Sequence, residues 1–272
     1  MGASYAAAMP GLHGDELPAE ARSAWLSLRD ELRGIVGDDL VALWAHGGTI
    51  AVDEPPRDAD LDTHAILAHR PTDATVRGIE AAEEAIASKH GIDWDTWYVL
   101  ADDARRPDPP IHAFRDGRRD TSWAIHRAHW LAGRYVNLHG SEPDEIVPAP
   151  AWAELVAELD RELEHLERHV VEGDTDPSEA TYALLNGSRI LHALETGSVV
   201  ITKRAAGAWA TRQLPARWRP ALHAALRAYA GEPTPDEITL VATAMAPFVA
   251  FVRERLPAPD RPAGALPRWS GS

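Results

Sequence analysis

The sequence predicts an α+β protein, with strands and helices in its N-terminal half and helices alone in its C-terminal half. Before residue 148, short apolar or alternating stretches of strand length occur among segments of helical periodicity. After the segment "PAP" at 148–150, only helical patterns occur. With 272 residues, of which 45% are hydrophobic, the chain is long enough for about two domains at roughly 150 residues each.

The N-terminal half is predicted to contain a helix, two strands, a helix, a strand and a further helix. Residues 15–36 carry apolar side chains at helical spacing and end at Gly37, a typical helix stop. The run "LVALWA" at 40–45 is a continuous apolar strand, and "LDTHAIL" at 61–67 is a second strand after a proline-rich turn. The remaining elements are a helix at 73–89, an alternating strand at 92–101 and a helix at 122–136.

The helical half is predicted from its capping signals. Residues 176–179, "DPSE", and 234–237, "TPDE", each place a cap residue before a proline at the first helical position and a glutamate at the third, as in a capping box. The predicted limits are 15–147 for the N-terminal domain, 150–257 for the helical bundle and 258–272 for a flexible tail.

The composition excludes several classes of function. The 27 basic and 42 acidic residues leave a net charge of −15, which repels nucleic-acid backbones and attracts cations. The chain has no cysteine, so it has no disulfides or thiolate metal sites, which fits a reducing compartment. No apolar run reaches the roughly 18 residues of a membrane span, and residues 1–12 lack the features of a signal peptide. We expect a soluble, cytoplasmic monomer that binds neither nucleic acid nor membranes.

Closely spaced aspartates follow two glycines in "AHGGTIAVDEPPRDADLDTHAIL", residues 45–67. Alternate residues share a face of a strand, so Asp60 and Asp62 would project side by side. Carboxylates held that close favour a cation between them, and Mg²⁺ prefers such oxygen ligands. Gly47 and Gly48, at the end of the preceding strand, allow phosphates to approach the backbone. The pattern predicts a magnesium and phosphate site, although a solvated turn fits the same letters.

The third predicted strand offers a further carboxylate. In "IDWDTWYVLA", residues 92–101, alternation places Asp93, Asp95 and Trp97 on one face. If this strand lies beside the second strand, Asp95 adds a third acid to the aspartate pair, and Trp97 could stack on a nucleobase or a sugar ring. A solvent-facing position is the other interpretation of Asp95.

Three stretches of the sequence resemble known families. "LWAHGG" followed by "DADLDTHAIL" resembles the polymerase-beta-like nucleotidyltransferase core, in which a strand and Gly-Ser precede an Asp-x-Asp on the next strand. The run "LLNGSRILHALETGSVVITKRAAGAWATRQLPARWRPAL" at 184–222 is similar to the helical domain of aminoglycoside adenylyltransferases of the streptomycin/spectinomycin 3''-type. The segment "GRYVNLHG" at 133–140 is similar to the segment that closes the first domain of that family. The resemblance spans residues 20–255.

This resemblance implies an N-terminal nucleotidyltransferase domain with a mixed sheet. It also implies transfer of AMP from ATP to a hydroxyl of an aminoglycoside, with release of pyrophosphate. On that basis Asp60 and Asp62 hold Mg²⁺ on the triphosphate, and the backbone of Gly47 and Gly48 cradles phosphates. Asp95 matches the carboxylate that takes the proton from the attacking hydroxyl.

The helical domain supplies the other residues that the resemblance implies. Arg189 and Lys203 match the arginine and lysine that contact the triphosphate in that family. Glu179 stands where the family keeps an acid facing the drug, with Asp174 and Asp176 as alternatives. The implied partners are thus ATP and a small cationic substrate, and an acidic chain would attract the latter.

Three features depart from the family pattern. Gly48 replaces the serine that follows the first glycine, and Asp95 replaces the usual glutamate base. Thr63 and His64 interrupt a strand that is usually apolar. These departures leave two alternatives open: a nucleotidyltransferase for another acceptor, or a catalytically weakened nucleotide-binding homologue.

A histidine pair lies outside these motifs. His165 and His169 are four residues apart in a predicted helix, a spacing that also occurs in metal sites. Because glutamate and arginine surround them in "RELEHLERHVVE", we expect solvated ion-pair partners rather than metal ligands.

Overall fold

The computed structural model describes residues 12–13, 19–50, 61–91, 94–107, 122–172 and 176–256. Two compact units divide the chain, Met1–Glu154 and Leu155–Ser272. The division falls in the first turn of a long helix, shortly after the proline-rich segment at 148–150. The predicted domain limits, 15–147 and 150–257, stay predictions, and the predicted tail at 258–272 lies outside the described residues.

The N-terminal unit alternates strands with helices. Its strands are β1 (Leu12–His13), β2 (Leu40–Ala45), β3 (Leu61–Leu67), β4 (Trp94–Leu100) and β5 (Val136–Gly140). Its helices are α1 (Ala19–Val36), α2 (Asp73–His90), α3 (Ala101–Ala104), α4 (Trp123–Leu131) and α5 (Pro143–Ile146). The predicted bounds of β2 and β3 are confirmed to the residue, because turn residues delimit each largely apolar run.

The five strands of the described residues form one mixed sheet in the order β1-β5-β2-β3-β4. β2 runs antiparallel to both of its neighbours, β5 and β3. The pairs β1–β5 and β3–β4 are parallel. Helix α2 makes the long connection that the parallel pair β3–β4 requires. The predicted mixed sheet is therefore confirmed.

Each face of the sheet carries its own hydrophobic core. Helices α1 and α2 contribute to one core, in which Trp25 and Ile79 are fully buried. Helix α4 contributes to the other, where the ring centroids of Trp130 and Trp44 are 5.1 Å apart and Trp123 is fully buried. Each such large apolar side chain contributes on the order of 2 kcal/mol of transfer free energy. The predicted acids of β3 and β4 project from the face of the sheet that α4 covers.

The prediction of a helix over residues 122–136 is wrong for its last five residues. Helix α4 ends at Leu131, and Gly133 then turns the chain with a left-handed backbone φ of +78°. The residues Val136–Gly140 form β5, which lies between β1 and β2 instead of ending a helix. Five alternating residues are too few to be told from the end of a helix by periodicity. The two-residue strand β1 is also absent from the prediction.

The C-terminal unit is helical, as predicted. The helices of this half are α6 (Trp152–Glu172), α7 (Pro177–Thr196), α8 (Lys203–Gln213), α9 (Arg219–Tyr229) and α10 (Pro235–Arg253). Helix α7 packs against α8, α9 and α10, and more than half of its residues are buried. The central position of α7 explains why its sequence is largely apolar.

Only one of the two predicted capping boxes forms in the structure. Thr234 forms a complete box at α10, because its hydroxyl accepts a hydrogen bond from the Glu237 backbone N–H at 3.3 Å and its own N–H donates to Glu237 Oε2 at 2.8 Å. At α7, Asp176 is a simple N-cap that accepts a backbone hydrogen bond, and this bond lowers the pKa of its carboxyl. Glu179 does not complete a box there.

By length and hydropathy alone, α10 could cross a membrane, and it is the only such helix in the part of the chain that the structure describes. Several of its apolar side chains, among them Met245 and Phe248, are buried inside the helical unit.

Candidate active site

The acidic side chains of β3 and β4 lie next to each other on the α4 face of the sheet. These strands are parallel and in register, with Asp62 paired to Asp95 and His64 paired to Trp97. Paired residues of neighbouring parallel strands project from the same face, and their strands are about 4.8 Å apart. The structure thus brings Asp62 and Asp95 together, both half-buried, with Trp97 two residues further along on the same face.

Gly47 lies against Asp62 at the end of β2. The backbone N–H of His46 donates a hydrogen bond to the Asp62 carbonyl oxygen at 3.0 Å. A Cβ added to Gly47 would lie 1.8 Å from Asp62 Oδ2, and Gly47 has a φ of +83°. Only glycine fits this position, because both the space and the backbone angle exclude a side chain. Gly48 follows at the start of a short 3₁₀ turn and has open space around it.

Replacing Gly47 with alanine is expected to displace the Asp62 carboxylate and to lower the free energy of unfolding by about 1–3 kcal/mol. Both the 1.8 Å contact and the positive φ oppose the added methyl group. Gly48→Ala is the matched control, because nothing lies within 4 Å of its added Cβ. Its free energy of unfolding should stay within about 0.5 kcal/mol of wild type. Urea denaturation makes the comparison, and equal stability of the two variants would contradict the close approach of Gly47 to Asp62.

The second predicted metal ligand, Asp60, lies outside the described residues, as does the whole of 51–60. Among the residues that are described, no group of three His, Asp or Glu side chains is placed to hold a metal ion. The described part of the donor set consists of two neighbouring carboxylates beside a glycine turn. Those oxygen ligands have the chemistry that Mg²⁺ prefers, so the residues present fit the ion. The assignment of Mg²⁺ to Asp60 and Asp62 stays a prediction.

A buried cluster of aromatic rings lies behind Asp62. His64 is fully buried, and its Nδ1 is 2.7 Å from His46 Nε2. The rings of His126 and Trp130, both on α4, lie 5.0 and 4.8 Å from the His64 ring, measured between centroids. His64 therefore packs the strand that carries Asp62 against α4. This packing explains how a histidine fits at a strand position where the family pattern has an apolar residue.

In the helical unit, the predicted residues on α7 lie on one stripe of the helix. Glu179, Tyr182, Asn186 and Arg189 follow one another at spacings of three or four, so they project from the same side. Arg189 donates a hydrogen bond to Asn186 Oδ1 at 3.2 Å. This polar stripe lies on a helix in which more than half of the residues are buried.

Tyr182 lies among the predicted charged residues. The Lys203 Nζ atom is 4.8 Å from the centroid of the Tyr182 ring, a cation–π contact. Burial raises the pKa of Tyr182, and so does the Glu162 carboxylate that accepts the hydrogen bond of its hydroxyl. Arg189 and Glu179 are both near enough to influence that pKa electrostatically. The structure therefore places Lys203 on the Tyr182 ring, and Glu179 and Arg189 lie on the same side of α7 as Tyr182.

Two buried N–H groups on the α7 stripe have no hydrogen-bond partner among the described residues. They are Arg189 Nε and Asn186 Nδ2. Buried donors nearly always have an acceptor, and phosphate oxygens are acceptors that arginine binds strongly. The stripe therefore has the donors expected of a site for an anionic group, which fits the predicted contact of Arg189 and Lys203 with a triphosphate.

The three acids considered for the substrate side occupy different positions. The Glu179 side chain is 34% exposed, and its Oε2 lies 3.7 Å from His169 Nδ1 of α6. Asp176 is engaged in capping α7, and Asp174 lies outside the described residues. Of the three, Glu179 is the one on the α7 stripe.

A cavity of about 550 Å³ lies elsewhere in the N-terminal unit. Asp30 and Arg33 of α1 and His139 of β5 are among the residues that line it. Burial and the positive charge of Arg33 lower the pKa of His139. None of the predicted site residues lines this cavity, so it does not coincide with the candidate active site.

The helical half of the chain matches a known family. Residues 147–255 match the family model of the aminoglycoside adenylyltransferase C-terminal domain. This part of the chain is therefore similar to the C-terminal domain of aminoglycoside adenylyltransferases. The predicted family and enzyme class, a nucleotidyltransferase, are thereby confirmed.

The adenylyltransferase fold extends over the N-terminal unit as well. Spectinomycin adenyltransferase AAD(9) from Enterococcus faecialis, solved with ATP and spectinomycin, is similar to this chain with a TM-score of 0.63 and 16% sequence identity. The similarity covers 84% of this chain and 98% of that chain. No curated protein matches the sequence. The predicted fold class, a nucleotidyltransferase domain followed by a helical bundle, is confirmed.

Tyr182 and Asn186 are absent from the sequence-based prediction, which named only the charged residues Glu179 and Arg189 on α7. Their signal is present in the sequence, because their spacing to Glu179 and Arg189 places four polar side chains on one side of an apolar helix. The contact between the rings of His46 and His64 had no such local signal, because it depends on how β2 pairs with β3.

Proposed function

We propose that this adenylyltransferase transfers AMP from ATP to a hydroxyl of an aminoglycoside or aminocyclitol antibiotic, such as streptomycin or spectinomycin, and releases pyrophosphate. The observation that carries the proposal is the register of β3 with β4, which sets Asp62 beside Asp95 next to the glycine turn at Gly47. One carboxylate can then bind a metal ion while its neighbour accepts a proton. Such modification would confer resistance to the drug.

In the N-terminal unit, Asp60 and Asp62 would hold Mg²⁺, and the backbone at Gly47 and Gly48 would lie against phosphates. The ion would neutralise phosphate charge as the α-phosphorus is attacked. Gly48 offers a backbone N–H without the hydroxyl that a serine would add. The open space around Gly48 leaves room for a phosphate at that position.

Asp95 would take the proton from the attacking hydroxyl. As the new bond forms between that oxygen and the α-phosphorus, the bond to the oxygen bridging to the β-phosphate breaks, and pyrophosphate leaves. Because aspartate is one methylene shorter than glutamate, the hydroxyl must approach β4 closely, or a water molecule must relay the proton. Trp97, on the same strand face, would stack on a base or a sugar ring.

In the helical unit, Arg189 and Lys203 would bind phosphates of ATP, and the buried Nδ2 of Asn186 would add a donor. Glu179 would face the cationic substrate, whose ammonium groups are donors to a carboxylate. The net charge of −15 favours the approach of such a substrate. We further propose that the protein acts as a cytoplasmic monomer and binds neither nucleic acid nor membranes.

A pyrophosphate-release assay with ATP, Mg²⁺ and a panel of hydroxylated antibiotics tests this function. Release is expected with streptomycin or spectinomycin, and removal of Mg²⁺ with EDTA should abolish it. If the folded protein released no pyrophosphate with any of the antibiotics, an antibiotic substrate would be excluded.

The variants Arg189→Ala and Lys203→Ala should each raise the KM for ATP in the same assay, because each removes a cation from the phosphates.

The residues Gly48 and Asp95 favour a second candidate, a nucleotide-binding homologue with weakened catalysis. The first lacks the family's serine hydroxyl, and the second is shorter than the family's glutamate. Calorimetry would then show ATP binding without pyrophosphate release. Release with a non-antibiotic alcohol alone would instead indicate a nucleotidyltransferase for another acceptor.

A further inference from the structure

A pair of histidines on α6 has no role in the proposed reaction, and its geometry favours a different interpretation from the solvated ion pairs expected from the sequence. His165 and His169 are one helical turn apart, with ring centroids separated by 4.5 Å and ring planes at 80°. Their Nε2 atoms are 3.2 Å from each other. Two imidazole nitrogens on one tetrahedral Zn²⁺, each about 2.05 Å from the ion, are about 3.3 Å apart. The pair therefore has the separation of a shared metal ion without any movement of the helix.

The opposite edges of the two rings are also held in place. His169 Nδ1 lies 3.7 Å from Glu179 Oε2, so a carboxylate faces this edge of the ring. Metal-bound histidines commonly direct their second nitrogen to such a group, which fixes the tautomer and the ring orientation. The ring of Tyr182 packs edge-on against His165 at 6.2 Å between centroids. Both histidines are partly exposed, so an ion can reach them from solvent.

We propose that His165 and His169 bind a divalent transition-metal or zinc ion through their Nε2 atoms. Imidazole suits Zn²⁺, Ni²⁺ and Cu²⁺, whereas Mg²⁺ selects oxygen ligands, so this site differs in chemistry from the carboxylates of the N-terminal unit. No third His, Asp or Glu among the described residues is placed to complete a protein site. Water therefore fills the remaining positions, and the ion binds reversibly.

The charges around the pair have both signs. Arg168 Nη2 lies 3.4 Å from His165 Nδ1 and opposes a cation, but its side chain is exposed and can turn into solvent. Glu179 contributes negative charge at His169, and Glu162 lies one turn before His165 on the same helix. Removal of the opposing charge in Arg168→Gln is therefore expected to strengthen metal binding.

Isothermal titration calorimetry of the tag-free full chain with ZnCl₂ alone tests the site, in a buffer with excess Mg²⁺ to occupy the carboxylates. One saturable site is expected in the wild type, with affinity at least tenfold weaker in His165→Gln and in His169→Gln. His223→Gln, which changes an exposed histidine on α9, is the matched control and should bind zinc as the wild type does.

Electron paramagnetic resonance of the Cu²⁺-loaded protein measures the number of imidazole nitrogens bound to the ion. Two coordinated imidazole nitrogens are expected in the wild type and one in each α6 variant. An absence of zinc binding, or binding that is unchanged in both α6 variants, would overturn the proposal. A loss as large in His223→Gln as in the α6 variants would do the same. Neither ATP nor an antibiotic is present, so the result is independent of the adenylyl-transfer activity.

Discussion

The Asp62→Asn variant is expected to remain folded and to lose turnover by about 10³-fold. Asparagine keeps the shape of aspartate, so the backbone hydrogen bond from His46 and the approach of Gly47 should persist. In the proposed site, the neutral amide would bind Mg²⁺ far more weakly than a carboxylate does, and the ion would no longer stabilise the transferred nucleotidyl group. Loss of about 4 kcal/mol of that stabilisation corresponds to about 10³-fold in rate. Steady-state kinetics over a range of Mg²⁺ concentrations measures the effect.

Asp102→Asn is the matched control for that variant. Asp102 is an exposed carboxylate on α3, just after β4, so the same chemical change occurs close by but outside the β3–β4 pair. Its turnover should equal that of the wild type. Circular dichroism confirms that both variants are folded, and normal turnover in Asp62→Asn would refute the assignment of this carboxylate to the metal ion.

The Asp95→Asn variant is expected to lower kcat by about 10²–10⁴-fold and to leave the Kd for ATP within about twofold. The proposed role of Asp95 is to accept a proton only when the hydroxyl attacks, so its loss should leave ground-state binding of the nucleotide largely unaffected. Calorimetry gives the Kd, and pyrophosphate release under saturating ATP gives kcat. Equal losses in Kd and kcat would count against a role as base.

Asp95→Glu supplies the contrast to this variant. Glutamate keeps a carboxylate at the position, with the side-chain length that the family uses, and β4 presents it on the same face beside Asp62. Its kcat should exceed that of Asp95→Asn by at least tenfold. Similar kcat values for the two variants would mean that the charge at this position does not act in the transfer step.

Much of the fold could be predicted from local patterns. The strands β2 and β3 are largely apolar runs between turn residues, and α7 and α10 begin at a cap residue followed by proline. β5 could not be predicted in this way. Its five residues pair with β2, which lies about ninety residues earlier in the chain, and no local signal encodes such a partner.

The candidate site could be predicted in part. Alternation along each strand selects the faces of Asp62 and Asp95, but it does not determine that β3 and β4 are neighbours in register. The charged residues Arg189 and Lys203 were identified through the family resemblance. Tyr182, whose ring contacts Lys203, lies outside the stretch that carries the resemblance, and only its spacing to Glu179 and Arg189 could have indicated it.

Mass spectrometry of spectinomycin and streptomycin after incubation with the protein, ATP and Mg²⁺ tests the proposed function most directly. We predict that one of the two drugs gains a single adenylyl group, that all of the components are required, and that Asp62→Asn yields no product at the same concentration. Recovery of both drugs unmodified, from folded wild-type protein that binds ATP, would contradict the proposal.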